Sequence, residues 1–368
     1  MKSYLEFEND IKVLEEELAK LKNPFNFNKE GISEVDTQKI FQIQSEIDSK
    51  LTASYKNLNE WQRTLVARHE DRPKAKFIIE NLFTDFINIS GDKRFAEDES
   101  VIAGFARLEG ESVLVIGQEK GHDLDSRLKR NFGMVRPEGY RKAIRLMKLA
   151  DKFNIPVISI IDSSGAYPGI GSEKRGIAEA IASSIDTCLS LRVPIIACIT
   201  GEGGSGGAIA LASANKVLML ENAIYSVISP EGAAEIIFKD PSKKEQAARS
   251  LKLTAKDLLK LGVIDEIVQE PIAAHRNKEQ AISSIKVALI KHLEEFKNYT
   301  KEEIYEQRKK KFLQIGRQKS FTTFAKNMGS LAEKYNFLIL IKKSYLKYKN
   351  KIIIAFLLLV VVSIFLIK

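Results

Sequence analysis

Two glycine-rich segments carry the residues whose types and spacing could do chemistry. They are DSSGAYPGIG, from Asp162 to Gly171, and ITGEGGSGGA, from Ile199 to Ala208. Glycine has no Cβ, so its backbone can take positive φ and come close to a ligand. The free N–H groups that open a following helix can then donate to a negative oxygen. Two such segments on neighbouring strands offer two places to hold developing negative charge.

The elements that must position them are legible in the flanks. Each segment follows an apolar run that begins with proline, Pro156–Ile161 and Pro194–Thr200, and each leads into a helical pattern, Ser172–Leu191 and Ala208–Ala214. Short runs rich in Val and Ile read as buried parallel strands. Strands alternating with helices imply right-handed βαβ crossovers, with ligands outside the carboxyl ends of the strands. Upstream, Phe7, Ile11, Leu14, Leu18 and Leu21 predict a helix that Asn23-Pro24 ends. Ile40, Ile43, Ile47, Leu51 and Leu58 predict a second, so residues 1–67 read as a helical hairpin or an arm lying on a partner, docked by Trp61 and Leu65. Phe77–Phe86 suits a helix, and Val101–Leu108 with Val113–Gly117 a β-hairpin joined at Glu109-Gly110-Glu111. Pro137 marks the start of a helix. Lys216–Leu220, Ala223–Ile228 and Val263–Val268 read as strands, and Ala233–Phe238, a segment capped by Thr254, and Lys278–Phe296 as helices.

The 368 residues allow one large domain plus appendages. A net charge of +9 fits an anionic ligand, nucleic acid or an anionic membrane surface, and the excess is conspicuous in the C-terminal tail. The two cysteines, Cys188 and Cys198, form no CxxC pair, so a zinc ribbon in this chain is not expected and both read as buried thiols in a reducing compartment. The start is acidic and lacks the apolar core of a signal peptide. Residues 68–296 read as the main domain and 297–351 as a basic linker. Ile352–Ile367 is apolar except for Ser363. As a helix it would span about 24 Å, short of a hydrocarbon core near 30 Å, though Lys351 and Lys368 could snorkel at its ends. It reads as a C-terminal membrane anchor with a basic cytoplasmic flank; the other reading is a helix buried against a partner.

Three motifs tempt. Gly201–Gly206 matches the dinucleotide fingerprint GxGxxG, with Glu221 about twenty residues on. That fingerprint belongs to the first βαβ unit, whereas here at least two βα units precede it. Gly203–Gly207 matches the nucleophile elbow GxSxG around Ser205, and Asp265 and His275 follow in triad order. A run this rich in glycine matches many patterns by chance, and nothing marks His275 as a base. Met147-Lys148 is a biotinyl-lysine dipeptide on a helix face, where the tight hairpin it needs is missing. What remains is a site with donors for an oxyanion and neither an internal base nor a metal, so the proton acceptor would come from a substrate or cofactor.

The strings NFGMVRPEGYRKAIRLMKLADKFNIPVISIIDSSGAYPGIGSEKRGIAEAIA, ITGEGGSGGAIALA and YSVISPEGAAEIIF, with RHEDRP, GDKRFAED and AAHRN, closely resemble the alpha-subunit family of bacterial acetyl-coenzyme A carboxylase carboxyltransferase. The likeness runs over roughly residues 1–296. It implies an α/β fold, a crotonase-like ββα superhelix; the N-terminal helical hairpin ahead of it is read from periodicity and the C-terminal hydrophobic helix behind it from hydropathy alone, since residues after about 297 match nothing in the family core. It implies transfer of a carboxyl group from carboxybiotin to acetyl-coenzyme A, giving malonyl-coenzyme A for fatty acid synthesis. The implied partners are a beta subunit with a zinc ribbon in an alpha2-beta2 heterotetramer, a biotin carboxyl carrier protein, and a biotin carboxylase that consumes ATP. No metal in this chain and no nucleic acid are required, and the implied place is the cytoplasm, tethered to the membrane if 352–367 is an anchor.

Carried onto this chain, the resemblance makes the N–H groups of Gly206 and Gly207 the candidates for holding the biotin ureido oxygen, with Gly203 and Gly204 the adjacent alternative. Gly165, Ala166, Tyr167 and Gly169 would line the neighbouring pocket. One departure stands out: the family reads TPGAYPG where this chain has Ser163-Ser164-Gly165, which leaves the turn less restricted. The alternatives are another crotonase-like acyl-coenzyme A enzyme, a hydratase or decarboxylase, and a membrane-anchored serine hydrolase.

Overall fold

The structure, a computed structural model, describes residues 3–22 and 37–316. Met1–Phe312 form one compact unit and Leu313–Lys368 another, most of which lies outside the described residues. The apolar run 352–367 and most of the basic linker are therefore among residues not described. Among the described residues no helix is long and apolar enough to cross a membrane.

Three helices come first, α1 (Asn9–Lys22), α2 (Thr37–Lys56) and α3 (Glu60–Arg68). Helical spacing puts Ile11 and Leu18 on one face of α1, and Ile43, Ile47 and Leu51 on one face of α2; these pack together with Val66 and Ala273. The α1–α2 connection, residues 23–36, lies outside the described residues. A reciprocal pair of hydrogen bonds between Asn59 and Gln62 starts α3.

Next come α4 (Ala75–Leu82), β1 (Thr84–Asn88), β2 (Val101–Leu108) and β3 (Glu111–Gln118). The expected helix over Phe77–Phe86 is thus corrected: it stops at Leu82, and the residues after extended Phe83 pair with β2 as an edge strand. Thr84, Phe86 and Ile87 suit a pleated surface better than a helix. The β2–β3 hairpin turns on Glu109 and Gly110, at φ +48° and +83°. Positive φ at both central residues is what a two-residue hairpin turn needs.

Then follow α5 (Leu124–Lys129), α6 (Pro137–Phe153), β4 (Val157–Ser163), α7 (Ile170–Lys174), α8 (Ile177–Ser190), β5 (Ile195–Gly204) and α9 (Ser205–Ala212). Two expectations change here. The helix over Ser172–Leu191 is divided into α7 and α8 at Gly176, which sits at φ +77°. The strand at Pro194–Thr200 runs on to Gly204, so the second glycine segment is half strand and half helix, and α9 begins at Ser205 rather than Ala208. The chain continues with β6 (Lys216–Leu220), β7 (Ile224–Ser226), α10 (Pro230–Phe238), α11 (Lys244–Leu251), α12 (Ala255–Lys260), β8 (Glu266–Val268), α13 (Lys278–Phe296) and α14 (Lys301–Gln314). The last two strands are shorter than expected, while α13 has the expected ends.

The sheet is mixed. Its order is β1-β2-β3-β4-β5-β6-β8, with β7 beside the end of β5. β1 to β3 are antiparallel, and β3 onward is parallel. β4 is buried throughout and β5 is buried up to Gly203, because helices cover both faces. Packing continues past residue 296. On α14, Ile304 and Arg308 are buried, and the Arg308 guanidinium donates to the carbonyls of Leu191 and Val193 and to Asn215. The start of the supposed linker is therefore part of the core. Replacing Arg308 with alanine strands those acceptors and should lower the unfolding free energy by about 2 kcal/mol. Thermal denaturation checks this; an unchanged melting temperature contradicts it.

Candidate active site where two glycine segments meet

The structure brings the two glycine segments into main-chain contact. A Cβ on Gly204 would lie 2.2 Å from the Ser164 carbonyl oxygen, and one on Gly207 would lie 2.4 Å from the Gly165 carbonyl carbon. Any side chain at either position would push the segments apart. Gly203 backs onto the Tyr225 ring, 2.8 Å from where its Cβ would be. Gly206 differs, since a Cβ there would meet only Ile181, at 3.5 Å. Packing therefore explains glycine at 203, 204 and 207, but not at 206.

The four candidate donors have different backbone surroundings. Gly203 and Gly204 lie in β5, paired with Tyr225 and Ser226 of β7, and Gly203 also with Ser163 of β4. Gly206 and Gly207 lie in the first turn of α9, whose N-cap residue is Gly204 and which no side chain caps. Helix geometry leaves the N–H groups of that turn without intrahelical partners, and the helix dipole adds positive potential there. The bend from strand to helix is sharp: Ser205 holds φ +47°, unusual for a residue with a Cβ. Ser205 is exposed and Gly206 half-buried.

The first segment is tied locally. The Ser163 hydroxyl donates to the Gly165 carbonyl at 2.8 Å and accepts from the Gly165 N–H at 3.2 Å. These bonds tie the turn at Ser163 to Gly165. Ala166 pairs with Val135, and the Tyr167 N–H donates to the Val135 carbonyl at 3.0 Å. The Tyr167 ring folds over Gly169, whose Cβ would come within 2.4 Å of it, and the Arg136 guanidinium stacks 4.6 Å above the ring. Gly165 and Ala166 thus lie against Gly207 at the start of α9, and the Tyr167–Gly169 contact follows directly along the chain. From β3, the Gln118 amide donates to the Gly207 carbonyl at 2.7 Å.

Beneath the segments runs a row of charges that the sequence reading missed. Lys120, just past β3, has its ammonium 2.8 Å from Asp162 Oδ1 on β4 and 2.8 Å from Glu202 Oε2 on β5. Arg68 of α3 reaches Glu202 at 2.7 Å and Glu231 of α10 at 2.6 Å. Lys74 stands 3.9 Å from Asp162 Oδ2, and the Glu202 N–H donates to Asp162 Oδ1 at 2.9 Å. Burial alone would raise the Glu202 pKa, but Lys120 and Arg68 outweigh it and hold the carboxyl down to about 2. Burial likewise opposes the Lys120 ammonium, yet Asp162 and Glu202 together raise its pKa. For Lys74 burial wins and the pKa falls. The only trace in the sequence is a charged residue at the end of each apolar run, and nothing there pairs them.

The triad reading fails on geometry. Asp265 accepts from the Val217 N–H and pairs with Lys311. His275 stacks on His69 with ring centres 3.9 Å apart and meets the Tyr55 hydroxyl at 3.2 Å. Burial and the neighbouring His69 drive the His275 pKa down to about 2, so it is neutral. Neither residue has a hydrogen bond to Ser205 among the described residues. Lys148 is exposed on α6, as a solvated lysine would be, and both cysteines are buried. No group of His, Cys, Asp and Glu among the described residues is arranged to hold a metal ion.

The contacts predict a contrast. Gly207→Ala forces a methyl group into backbone and should cost at least about 1–3 kcal/mol of stability, whereas Gly206→Ala should be tolerated within about 1 kcal/mol. Chemical denaturation of both variants checks this, and equal effects would contradict it.

Comparison with known proteins supplies the family. Residues 4–316 match the family described as acetyl co-enzyme A carboxylase carboxyltransferase-like. A relative from Pelagibacter ubique (strain HTCC1062), named acetyl-coenzyme A carboxylase carboxyl transferase subunit alpha, is 59% identical over 97% of this chain and 96% of its own. One of the same name from Zymomonas mobilis is 51% identical over 86% of this chain and 100% of its own. Among solved structures, the beta subunit of P. aeruginosa geranyl-CoA carboxylase is 17% identical, covering 68% of this chain and 45% of that one, with a TM-score of 0.49. With a family match along most of its length and relatives at half identity or better, the chain belongs to the acetyl-coenzyme A carboxylase carboxyltransferase family.

Proposed function

We propose that this chain is an alpha-type subunit that transfers a carboxyl group from carboxybiotin to acetyl-coenzyme A, giving malonyl-coenzyme A. The observation that carries the reading is the start of α9, uncapped by side chains and packed main chain to main chain against the Gly165 turn. Carboxybiotin, carried on a separate protein, would supply a labile N-carboxyl group. The Gly206 and Gly207 N–H groups would donate to the ureido oxygen as negative charge builds there. Preorganised donors of this kind are worth about 3–4 kcal/mol each where one has been removed. Gly203 and Gly204 are the weaker candidates, because their backbone already takes part in strand pairing. Gly165, Ala166, Tyr167 and Gly169 would shape the wall beside the bound ring.

The nearby side chains support transfer over hydration or other side-chain acid–base chemistry. Asp162 and Glu202 are buried and ion-paired, so neither is a free base. The proton acceptor would come from the substrates. The wider reading is a crotonase-type superhelix working with a zinc-ribbon beta subunit as an alpha2-beta2 assembly. A biotinylated carrier and an ATP-consuming biotin carboxylase would feed it in the cytoplasm. The names of the relatives support the subunit assignment on which that reading is built.

The test is reconstitution with the zinc-ribbon subunit and assay of carboxyl transfer between malonyl-coenzyme A and biotin. The assembled complex should turn over, and Ser205→Ala should keep activity within about tenfold because the donors are backbone groups. Loss of all activity in Ser205→Ala would return the nucleophile reading. A membrane tether at 352–367 rests on hydropathy alone; deleting residues 345–368 should then release the protein from membranes while sparing transfer, and unchanged fractionation would refute it.

A further inference from the structure

We propose that Lys120 is a positioning residue for this reaction, its ammonium fixing the separation of the two glycine segments by bridging the carboxylates that anchor them. The inference rests on the function proposed above. Lys120 follows β3, Asp162 lies on β4 one residue before Ser163, and Glu202 lies on β5 two residues before Gly204. One ammonium contacts both carboxylates at 2.8 Å, so it spans the carboxyl ends of three adjacent parallel strands. Its stem packs under the loop before α6, where a Cβ on Gly133 would lie 2.7 Å from Lys120 Cγ and 2.9 Å from the Asp162 carbonyl oxygen. The Asp162 carboxylate also sits beneath Gly201 and accepts the Glu202 N–H, so shifting it moves the strand that leads into α9.

The side-chain charge is what holds this arrangement. Asp162 is 1% exposed and Glu202 8% exposed. Around them stand Arg68 from α3, Lys74 and Arg72 from the loop before α4, Arg127 from α5 and Glu231 from α10. Lys74 lies 3.9 Å from the Asp162 Oδ2 atom, which has no hydrogen bond, and Arg68 is shared with Glu231, so neither can replace the bridge. Without Lys120 two buried carboxylates face each other, repel, and separate the segments.

Lys120→Met, in the complex with its partner subunit, should lower kcat about a hundredfold, the size expected from a misplacement near 1 Å, while the KM for acetyl-coenzyme A changes by less than about twofold. Lys120→Arg, and Lys120→Met combined with Asp162→Asn, should each recover at least about tenfold of the loss. Hydrogen exchange in residues 162–171 and 201–208, which needs no substrate, should quicken in Lys120→Met and slow again in the double variant. Wild-type kcat in Lys120→Met, or a loss that neither Lys120→Arg nor the second substitution relieves, overturns the proposal. If Lys120→Met does not assemble, the charge-balanced double variant decides: it must assemble and turn over. If the wild-type complex transfers nothing while the exchange pattern holds, the functional reading falls and the bridge stands.

Discussion

The contact on which the structure depends is made without side chains. The backbone at Gly204 and Gly207 lies against that at Ser164 and Gly165 so closely that a methyl group would come within 2.4 Å of carbonyl atoms. This puts the start of α9 beside Gly165 and Ala166, and it dictates glycine at 204 and 207. Main-chain donors at such a place cost no reorganisation when charge develops, because strand and helix already hold them. At the half-open start of α9, Gly206 is the least crowded glycine of the segment, its Cβ position meeting only Ile181.

The two strand ends carry a second tie, made by side chains. Below the main-chain contact, cations and anions alternate from Lys74 through Asp162, Lys120, Glu202 and Arg68 to Glu231. Buried charges are expensive unless paired, and removing one partner strands the other. Such a row confers specificity of arrangement more than stability. Its Asp162 carboxylate sits beneath Gly201 of the second glycine segment, where, in the function proposed, a shift of an ångström would matter.

Much of this was legible in the sequence because apolar runs and glycine clusters are local signals. β4, the β2–β3 hairpin, the start of α6 and both ends of α13 followed from periodicity, turn residues and caps. The errors arose where a local pattern admitted two readings. Phe77–Phe86 could satisfy a helix throughout, yet pairing with β2 took its second half. GEGGSGG looked like a turn, but β7 pairs with Glu202–Gly204 and extends the strand, leaving Ser205 to make the whole bend. Arg308 fell within the supposed basic linker, and only the packing of α14 showed it buried among backbone carbonyls. The ionic row was not legible at all: its members are scattered from Arg68 to Glu231 on separate elements, and only folding brings them together.

The most direct test of the central claim is a solved structure of the assembled complex with biotin bound. The ureido oxygen should lie about 2.7–3.2 Å from the backbone nitrogens of Gly206 and Gly207, with the ring against Tyr167. Biotin held elsewhere, with those two nitrogens turned to solvent or donating to protein carbonyls, would contradict it.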